Sequence, residues 1–149
     1  MSINMTQQEY RLLLDLLLVA DWVIHSNRAG DAPEAESYRM LTQKLFSLAP
    51  QFGMDDLVEV DPEYNQYRPS AKLEKSTTAW QVLDEYDDAT FWEELIVRLA
   101  ERDVVNMPGK AEVERMSPEE YDRYAVPLEE KYANEFLENG LERLVIRNS

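Results

Sequence analysis

The stretch TQQEYRLLLDLLLVADWVIH, residues 6–25, decides the fold of this chain. Its apolar residues recur at the three- and four-residue spacing of an amphipathic helix. It opens with Thr6, three residues before Glu9, which is the capping-box signature of a helix N-terminus. The pattern predicts a helix that begins at Thr6 and ends near Ala29, where Gly30 can adopt a left-handed conformation.

This first helix carries more apolar surface than a helix with one buried side requires. At 100° per residue, its broad apolar side is expected to face the core. That side comprises Leu13, Leu16, Leu17, Ala20, Val23 and Ile24. A second ridge, formed by Leu14, Leu18 and Trp22, then points the opposite way. Either other helices cover both sides, or the ridge packs on a second copy of the chain in a homodimer anchored by Trp22.

Length and cysteine content restrict the class of protein. A chain of 149 residues predicts one helical domain, residues 1–149, whose core needs neither metal nor disulfide. The absence of cysteine excludes disulfides, thiolate metal sites and a cysteine nucleophile. The N-terminus lacks a basic leader region, and the apolar run after it is too short to cross a bilayer. These features predict a cytoplasmic protein without a membrane segment.

The net charge of −15 restricts the class of partner. Thirty acidic residues against fifteen basic ones would repel a phosphate backbone, so direct binding of nucleic acid is disfavoured. The charge is compatible with a basic protein partner, and with a protein that imitates nucleic acid. It is also compatible with an acidic surface that serves solubility alone.

The next segments predict a second helix followed by an irregular region. The second helix is expected to begin at Asp31, with Pro33 in its first turn, and to end at Pro50 and Gly53. Its buried stripe is expected to be Tyr38, Leu41, Leu45 and Leu48. Residues 54–78 are predicted to be the least helical part, and a further short helix is expected around residues 79–86.

The segment EYDDATFWEELIVRLAERD, residues 85–103, resembles a metal or acid/base site because acids and arginines surround two aromatic rings. The ordinary determinants of helix formation account for all of these residues. Thr90 with Glu93 three residues later resembles another capping box, and the nearby acids would face the positive end of the helix dipole. We therefore predict an amphipathic helix that begins at Thr90, and no catalytic residue.

The last long helix is predicted from Ser117-Pro118-Glu119-Glu120, a cap followed by proline and acids in the first turn. Pro127 is expected to kink or break this helix, and Asn139-Gly140 to end it. Its buried row is expected to be Tyr121, Tyr124, Leu128, Tyr132 and Phe136. Residues 57–60, 111–116 and 141–146 are candidates for a small accessory sheet. The predicted fold is mainly α, an irregular bundle of four to five helices.

Few residues are candidates for catalysis or metal binding. His25 is the only histidine, which excludes multi-histidine metal sites. With Asp21 one turn before it, His25 either acts as an oriented base or complements the helix end. Two acidic pairs could contribute oxygen ligands to Mg²⁺ or Mn²⁺ from different helices. They are Glu85 with Asp88 and Glu135 with Glu138.

Function is predicted from residue types that favour contact with proteins. The segment YNQYR supplies Tyr64, Tyr67 and Arg68, and the ridge of the first helix supplies Leu14, Leu18 and Trp22. We predict an acidic helical interaction or regulatory protein that binds another protein and needs no cofactor. The alternative is a divalent-metal-dependent enzyme acting on a phosphorylated small molecule, and a third hypothesis is a nucleic-acid mimic.

Overall fold

The computed structural model describes residues 4–26, 33–107 and 109–145. Within these ranges the chain is mainly α-helical with one small antiparallel sheet, which confirms the predicted fold class. Contacts between Cα atoms divide the chain into two compact units, Met1–Asp84 and Glu85–Ser149. The single domain expected from the chain length stays a prediction.

The first unit contains two long helices, a hairpin and a short helix. They are α1 (Gln7–His25), α2 (Pro33–Phe46), a 3-10 helix (Ala49–Phe52), β1 (Val58–Asp61), β2 (Gln66–Pro69) and α3 (Ala71–Ser76). Helix α4 (Ala79–Asn106) begins in this unit and continues into the second. The second unit also contains α5 (Lys110–Val113) and α6 (Pro118–Asn139).

Helix α1 begins as the sequence predicts. The Thr6 hydroxyl accepts a hydrogen bond from the Glu9 backbone N–H at 3.2 Å, and the Glu9 carboxylate accepts one from the Thr6 backbone N–H at 2.7 Å. The Thr6 backbone donor stabilises the ionised carboxylate and thereby lowers the pKa of Glu9. The helix ends at His25 rather than near Ala29. Gly30 and the cap at Asp31 lie outside the described residues.

Replacing Thr6 with alanine is expected to lower the free energy of unfolding by about 0.5–2 kcal/mol, because the Glu9 backbone N–H loses the hydroxyl oxygen that accepts its hydrogen bond. Thr90→Ala is the matched control, since Thr90 lies within α4 and caps nothing. We expect that control to change stability by no more than about 0.5 kcal/mol. Urea unfolding measures both, and equal losses in the two variants would contradict the assignment.

The core of the first unit corrects the predicted orientation of α1. The ridge residues Leu14 and Leu18 are buried, whereas Leu16 is 66% exposed and Val23 is 58% exposed. The prediction that Leu14 and Leu18 point away from the core is therefore wrong. Tyr10 explains the reversal: its ring stacks on Phe52 with centroids 4.1 Å apart.

The hydroxyl of Tyr10 fixes the same rotation of the helix. It donates a hydrogen bond to the Leu45 carbonyl at 2.7 Å, and the side chain is fully buried. Leu14, Leu17 and Leu18 follow Tyr10 at four, seven and eight residues, so they share its face. The face of α1 that packs is therefore set by an aromatic residue near its start.

The buried stripe predicted for α2 is only half correct. Tyr38 and Leu41 are 54% and 52% exposed, while Leu45 and Leu48 pack partly buried against the core. The helix ends at Phe46, and a separate 3-10 helix follows. Gly53 closes that short helix in a left-handed conformation with φ of 65°, which a Cβ atom would strain.

Residues 54–78 contain more regular structure than the sequence indicates. Strand β1 confirms the segment expected near residues 57–60, but β2 and α3 contradict the prediction of an irregular chain. Asp61 supports the turn of the hairpin, because its carboxylate accepts the Glu63 and Tyr64 backbone N–H groups at 2.8 and 3.2 Å. Strands of four residues are too short to show a clear periodicity.

Helix α4 runs through the position where a helix was expected to begin. Its 28 residues include Thr90, so the predicted cap and the separate short helix at residues 79–86 are wrong. No proline or glycine interrupts the segment, and a threonine three residues before a glutamate also occurs within helices. Residues 110–113 form α5 and residues 141–143 form a turn, so neither candidate segment is a strand where it is described.

Helix α6 begins at the predicted cap. Ser117 and Glu120 exchange hydrogen bonds of 3.3 and 2.9 Å in a capping box. Helix α6 continues through Pro127 to Asn139, so it does not break at this proline, while the kink stays a prediction. Arg123, whose carbonyl loses its donor, is exposed, so water can satisfy it. Of the predicted buried row, Phe136 is buried and Tyr124 is 40% exposed.

Candidate functional site

A cleft of about 460 Å³ opens in the first unit beside the C-terminal half of α1. Its other walls come from α2, from β2, from α3 and from the first turn of α4. Its volume lies in the range of protein sites that bind small molecules or single side chains. It is therefore large enough to receive part of another molecule.

One wall of the cleft is aromatic. The rings of Trp22 and Trp80 meet edge to face, with centroids 5.8 Å apart and an interplanar angle of 78°. Trp22 is 49% exposed, and the buried side chains of Leu18 and Phe46 also line the cleft. A ligand group placed here would contact apolar surface.

Another wall is strand β2, which an α2 side chain holds in place. The Gln43 amide donates to the Tyr67 carbonyl at 2.7 Å and accepts from the Tyr67 backbone N–H at 2.6 Å. Gln43 thus makes the two hydrogen bonds that a neighbouring strand would make. Nothing in the sequence marks this glutamine, and its role could not have been predicted from residue type.

Arginines at the cleft are paired with acids of the same chain. Arg68 contacts Glu59 at 2.8 Å and Asp61 at 3.2 Å. The Arg39 Nε donates to Glu36 at 2.9 Å. The backbone donors at the hairpin turn lower the pKa of Asp61, so this carboxylate stays ionised opposite Arg68.

His25 lies at the same cleft with its predicted carboxylate partner. Its Nε2 atom is 3.5 Å from the Asp21 carboxylate, and both side chains are more than a third exposed. Glu74 adds a further acid to the lining. Among the lining side chains, the acids Asp21 and Glu74 equal the arginines in number, and both arginines are already paired with acids beside the lining. This arrangement suits a largely apolar ligand group with hydrogen-bonding surroundings better than a strongly charged one.

The predicted contact residues divide into three groups. Trp22, Tyr67 and Arg68 all line the cleft. Tyr64 is 67% exposed and does not line it. Leu14 is fully buried and offers no free surface, because Tyr10 turns this side of α1 inward, whereas Leu18 is 5% exposed and its side chain also lines the cleft. Four of the six predicted contact residues therefore line the cleft, while Trp80 and Gln43 were not among those predicted.

The acidic pairs of the metal hypothesis lie in the second unit. Glu85 and Glu138 are exposed. The Asp88 carboxylate accepts a hydrogen bond from Trp92 Nε1 at 3.2 Å, and Glu135 accepts one from Asn139 Nδ2 at 3.1 Å. Across the part of the chain that the structure describes, no three histidine, aspartate or glutamate side chains are grouped so that they could hold a metal ion.

Comparisons with protein-family models, with curated proteins and with solved structures find no match to this chain. Among the helices of residues 4–26, 33–107 and 109–145, none is long and apolar enough to cross a membrane. Function must therefore be inferred from the chemistry of the cleft residues themselves.

Proposed function

We propose that this chain is an interaction or regulatory protein, and that the cleft of the first unit holds a segment of a protein partner. The convergence of Trp22, Tyr67 and Arg68 on one cleft carries the proposal. Trp22 on α1 is far in the sequence from the adjacent residues Tyr67 and Arg68 on β2, and tryptophan, tyrosine and arginine are the residue types enriched at the energetic centres of interfaces. No catalytic step is part of the proposal.

Binding would draw its energy from the aromatic wall. An apolar side chain of the partner would lie against Trp22 and Trp80, and burial of one large side chain contributes roughly 1.5–3 kcal/mol. Arg39 and Arg68 would donate hydrogen bonds to carbonyl groups of the bound segment, since a guanidinium carries five N–H donors. Gln43 keeps the β2 wall in place before the partner arrives, which reduces the entropic cost of binding.

The proposal places this interaction in the cytoplasm, in keeping with a chain that contains no cysteine. Because the cleft arginines are already paired with acids of the same chain, its selectivity would come from shape and apolar contact rather than from attraction over long distances. A second copy of the chain is the other protein that could occupy the cleft, and the experiment below separates the two.

Trp22→Ala is expected to weaken binding of the partner by about 2 kcal/mol or more, roughly thirtyfold, because it removes the exposed ring of the aromatic wall. The measurement is affinity capture of the partner from the host with tagged wild type and variant, followed by titration of the captured protein. Tyr64→Ala is the matched control: it removes an exposed aromatic side chain from the same unit but outside the cleft lining.

Circular dichroism must show that both variants keep the helical content of the wild type. Equal binding by Trp22→Ala and wild type would contradict the proposed site. Light scattering tests the other occupant. If wild type is a dimer and Trp22→Ala a monomer, the cleft joins two copies of the chain and the proposal of a different protein partner fails.

A further inference from the structure

The second unit has a small core and leaves large apolar side chains outside it. Among its described residues, the buried apolar side chains are Ala100, Val104, Ala125 and Phe136. Two of these four are alanines, which bury little area. Leu137, next to Phe136 on α6, is 86% exposed. A large apolar side chain exposed to water lacks the stabilisation that burial would provide. Exposed apolar surface of this kind is common at interaction sites.

Leu137 stands at the rim of an apolar groove between α4 and α6. The groove has a volume of about 360 Å³ and is lined by Trp92, Ile96, Ala133, Phe136 and Leu137. Two of its lining rings, those of Trp92 and Phe136, contact each other with centroids 5.6 Å apart. All five lining side chains are apolar or aromatic, and none of them lines the cleft of the first unit.

Carboxylates flank this apolar strip on both helices. Asp88 lies one turn before Trp92 and accepts the hydrogen bond from its indole N–H at 3.2 Å. On α6, exposed Glu130 precedes Ala133 by three residues and Leu137 by seven, so the three share a helix face. Residues 85–149 hold 17 acidic and 8 basic residues.

Nearby bases offset only part of this charge. Arg98 is paired with Glu94 at 2.9 Å and Arg143 with Glu135 at 3.4 Å, so each offsets one acid. Lys131, whose Nζ lies 5.8 Å from the centroid of the Tyr132 ring, keeps its positive charge and offsets one more. The groove is thus an apolar strip in a negative surrounding, the complement of a helix with one apolar and one basic face.

We infer that this groove binds a basic amphipathic helix of another protein. Leucine-like side chains of that helix occupy the space beside Leu137, Ile96 and Trp92, and its lysines or arginines meet Asp88 and Glu130. A second copy of this chain is a poor occupant, because both copies would bring the same excess of negative charge to the contact. This inference does not depend on the cleft proposed above, with which the groove shares no residue.

The test uses the full chain and a synthetic helical peptide of about 18 residues, with leucine at every third or fourth position and lysine elsewhere. A matched peptide carries glutamate in place of each lysine. Isothermal titration at low and high salt is expected to show binding of the lysine peptide that weakens as salt rises, and no binding of the glutamate peptide.

Groove variants separate this site from general attraction to an acidic protein. Leu137→Ser is expected to weaken binding of the lysine peptide about tenfold, because it removes the exposed apolar rim. Leu144→Ser is the control, since Leu144 is 48% exposed in the same unit but does not line the groove. Asp88→Asn combined with Glu130→Gln is expected to reduce the dependence of the affinity on salt.

Three results would overturn the inference. One is equal peptide affinity in Leu137→Ser and Leu144→Ser, which would mean that general charge attraction alone explains the binding. Another is an unchanged salt dependence in the Asp88→Asn, Glu130→Gln variant. The third is light scattering in which Leu137→Ser converts a dimeric wild type to a monomer. Trp22→Ala is expected to leave peptide binding unchanged, so a failure of the cleft proposal is distinguishable from a failure here.

Discussion

Replacing Leu14 with alanine is expected to lower the free energy of unfolding by about 2–5 kcal/mol. Leu14 is fully buried in the core of the first unit, where it belongs to the same cluster as Tyr10 and Phe46. Truncation removes the contacts of the isobutyl group and leaves a cavity that the packed neighbours can fill only in part. Urea unfolding followed by circular dichroism measures the loss.

The control for this variant is the same substitution two residues later. Leu16 is 66% exposed, so Leu16→Ala is expected to change the free energy of unfolding by no more than about 0.5 kcal/mol. The pair tests the rotation of α1, since the sequence-based expectation puts Leu16 on the core-facing side and Leu14 on the opposite ridge. A large loss from Leu16→Ala with little change from Leu14→Ala would restore the sequence-based orientation.

Helix starts could be predicted because their signals are local. Thr6 with Glu9, and Ser117 with Glu120, place a side-chain acceptor and its reciprocal acid within one turn, and both form capping boxes. Thr90 with Glu93 has the same spacing but lies inside α4. The motif shows only that a cap can form. The cap forms where no helix precedes it, and it does not form where the helix continues on both sides of the motif.

The rotation of α1 could not be predicted in the same way. The run from Leu12 to Ile24 is so nearly continuous in apolar residues that several faces satisfy the helical period. The choice is made by Tyr10, through Phe52 and the Leu45 carbonyl, and both partners lie at least 35 residues away. Contacts at this separation are a property of the folded chain rather than of the local pattern.

The candidate site also combines features that could be predicted from local sequence with features that depend on contacts between distant residues. Trp22, Tyr67 and Arg68 were recognisable one at a time as residue types that favour interfaces. Their convergence on one cleft depends on the β1–β2 hairpin, whose second strand is too short for its sequence to show the alternating pattern of a strand. It also depends on Gln43, whose two hydrogen bonds to Tyr67 hold that strand beside α2.

Alkaline pH is expected to destabilise the chain through Tyr10. Burial raises the pKa of Tyr10 to about 12, whereas an exposed tyrosine ionises near pH 10. A raised pKa in the folded state means that stability is fully present below pH 10 and is lost as the pH rises through the folded value. The loss between about pH 10 and 12 amounts to roughly 2–3 kcal/mol, since each pKa unit corresponds to about 1.4 kcal/mol.

Tyr10→Phe isolates this contribution. The variant is expected to be less stable at neutral pH by about 1–3 kcal/mol, because the Leu45 carbonyl loses the donor that lies 2.7 Å away. Its stability should then decline less than that of the wild type above pH 10, and the two curves should converge near pH 12. Burial also raises the pKa values of Tyr121 and Tyr132, but these residues are common to both proteins and cancel in the difference.

Tyr64→Phe is the control for this experiment, because Tyr64 is 67% exposed, so the substitution removes a tyrosine hydroxyl without disturbing the contacts of Tyr10. Urea unfolding at successive pH values from about 8 to 12 gives the three curves. Parallel curves for wild type and Tyr10→Phe would mean that the Tyr10 hydroxyl ionises as readily in the folded chain as in the unfolded one. The buried hydrogen bond to Leu45 would then not be what fixes the rotation of α1.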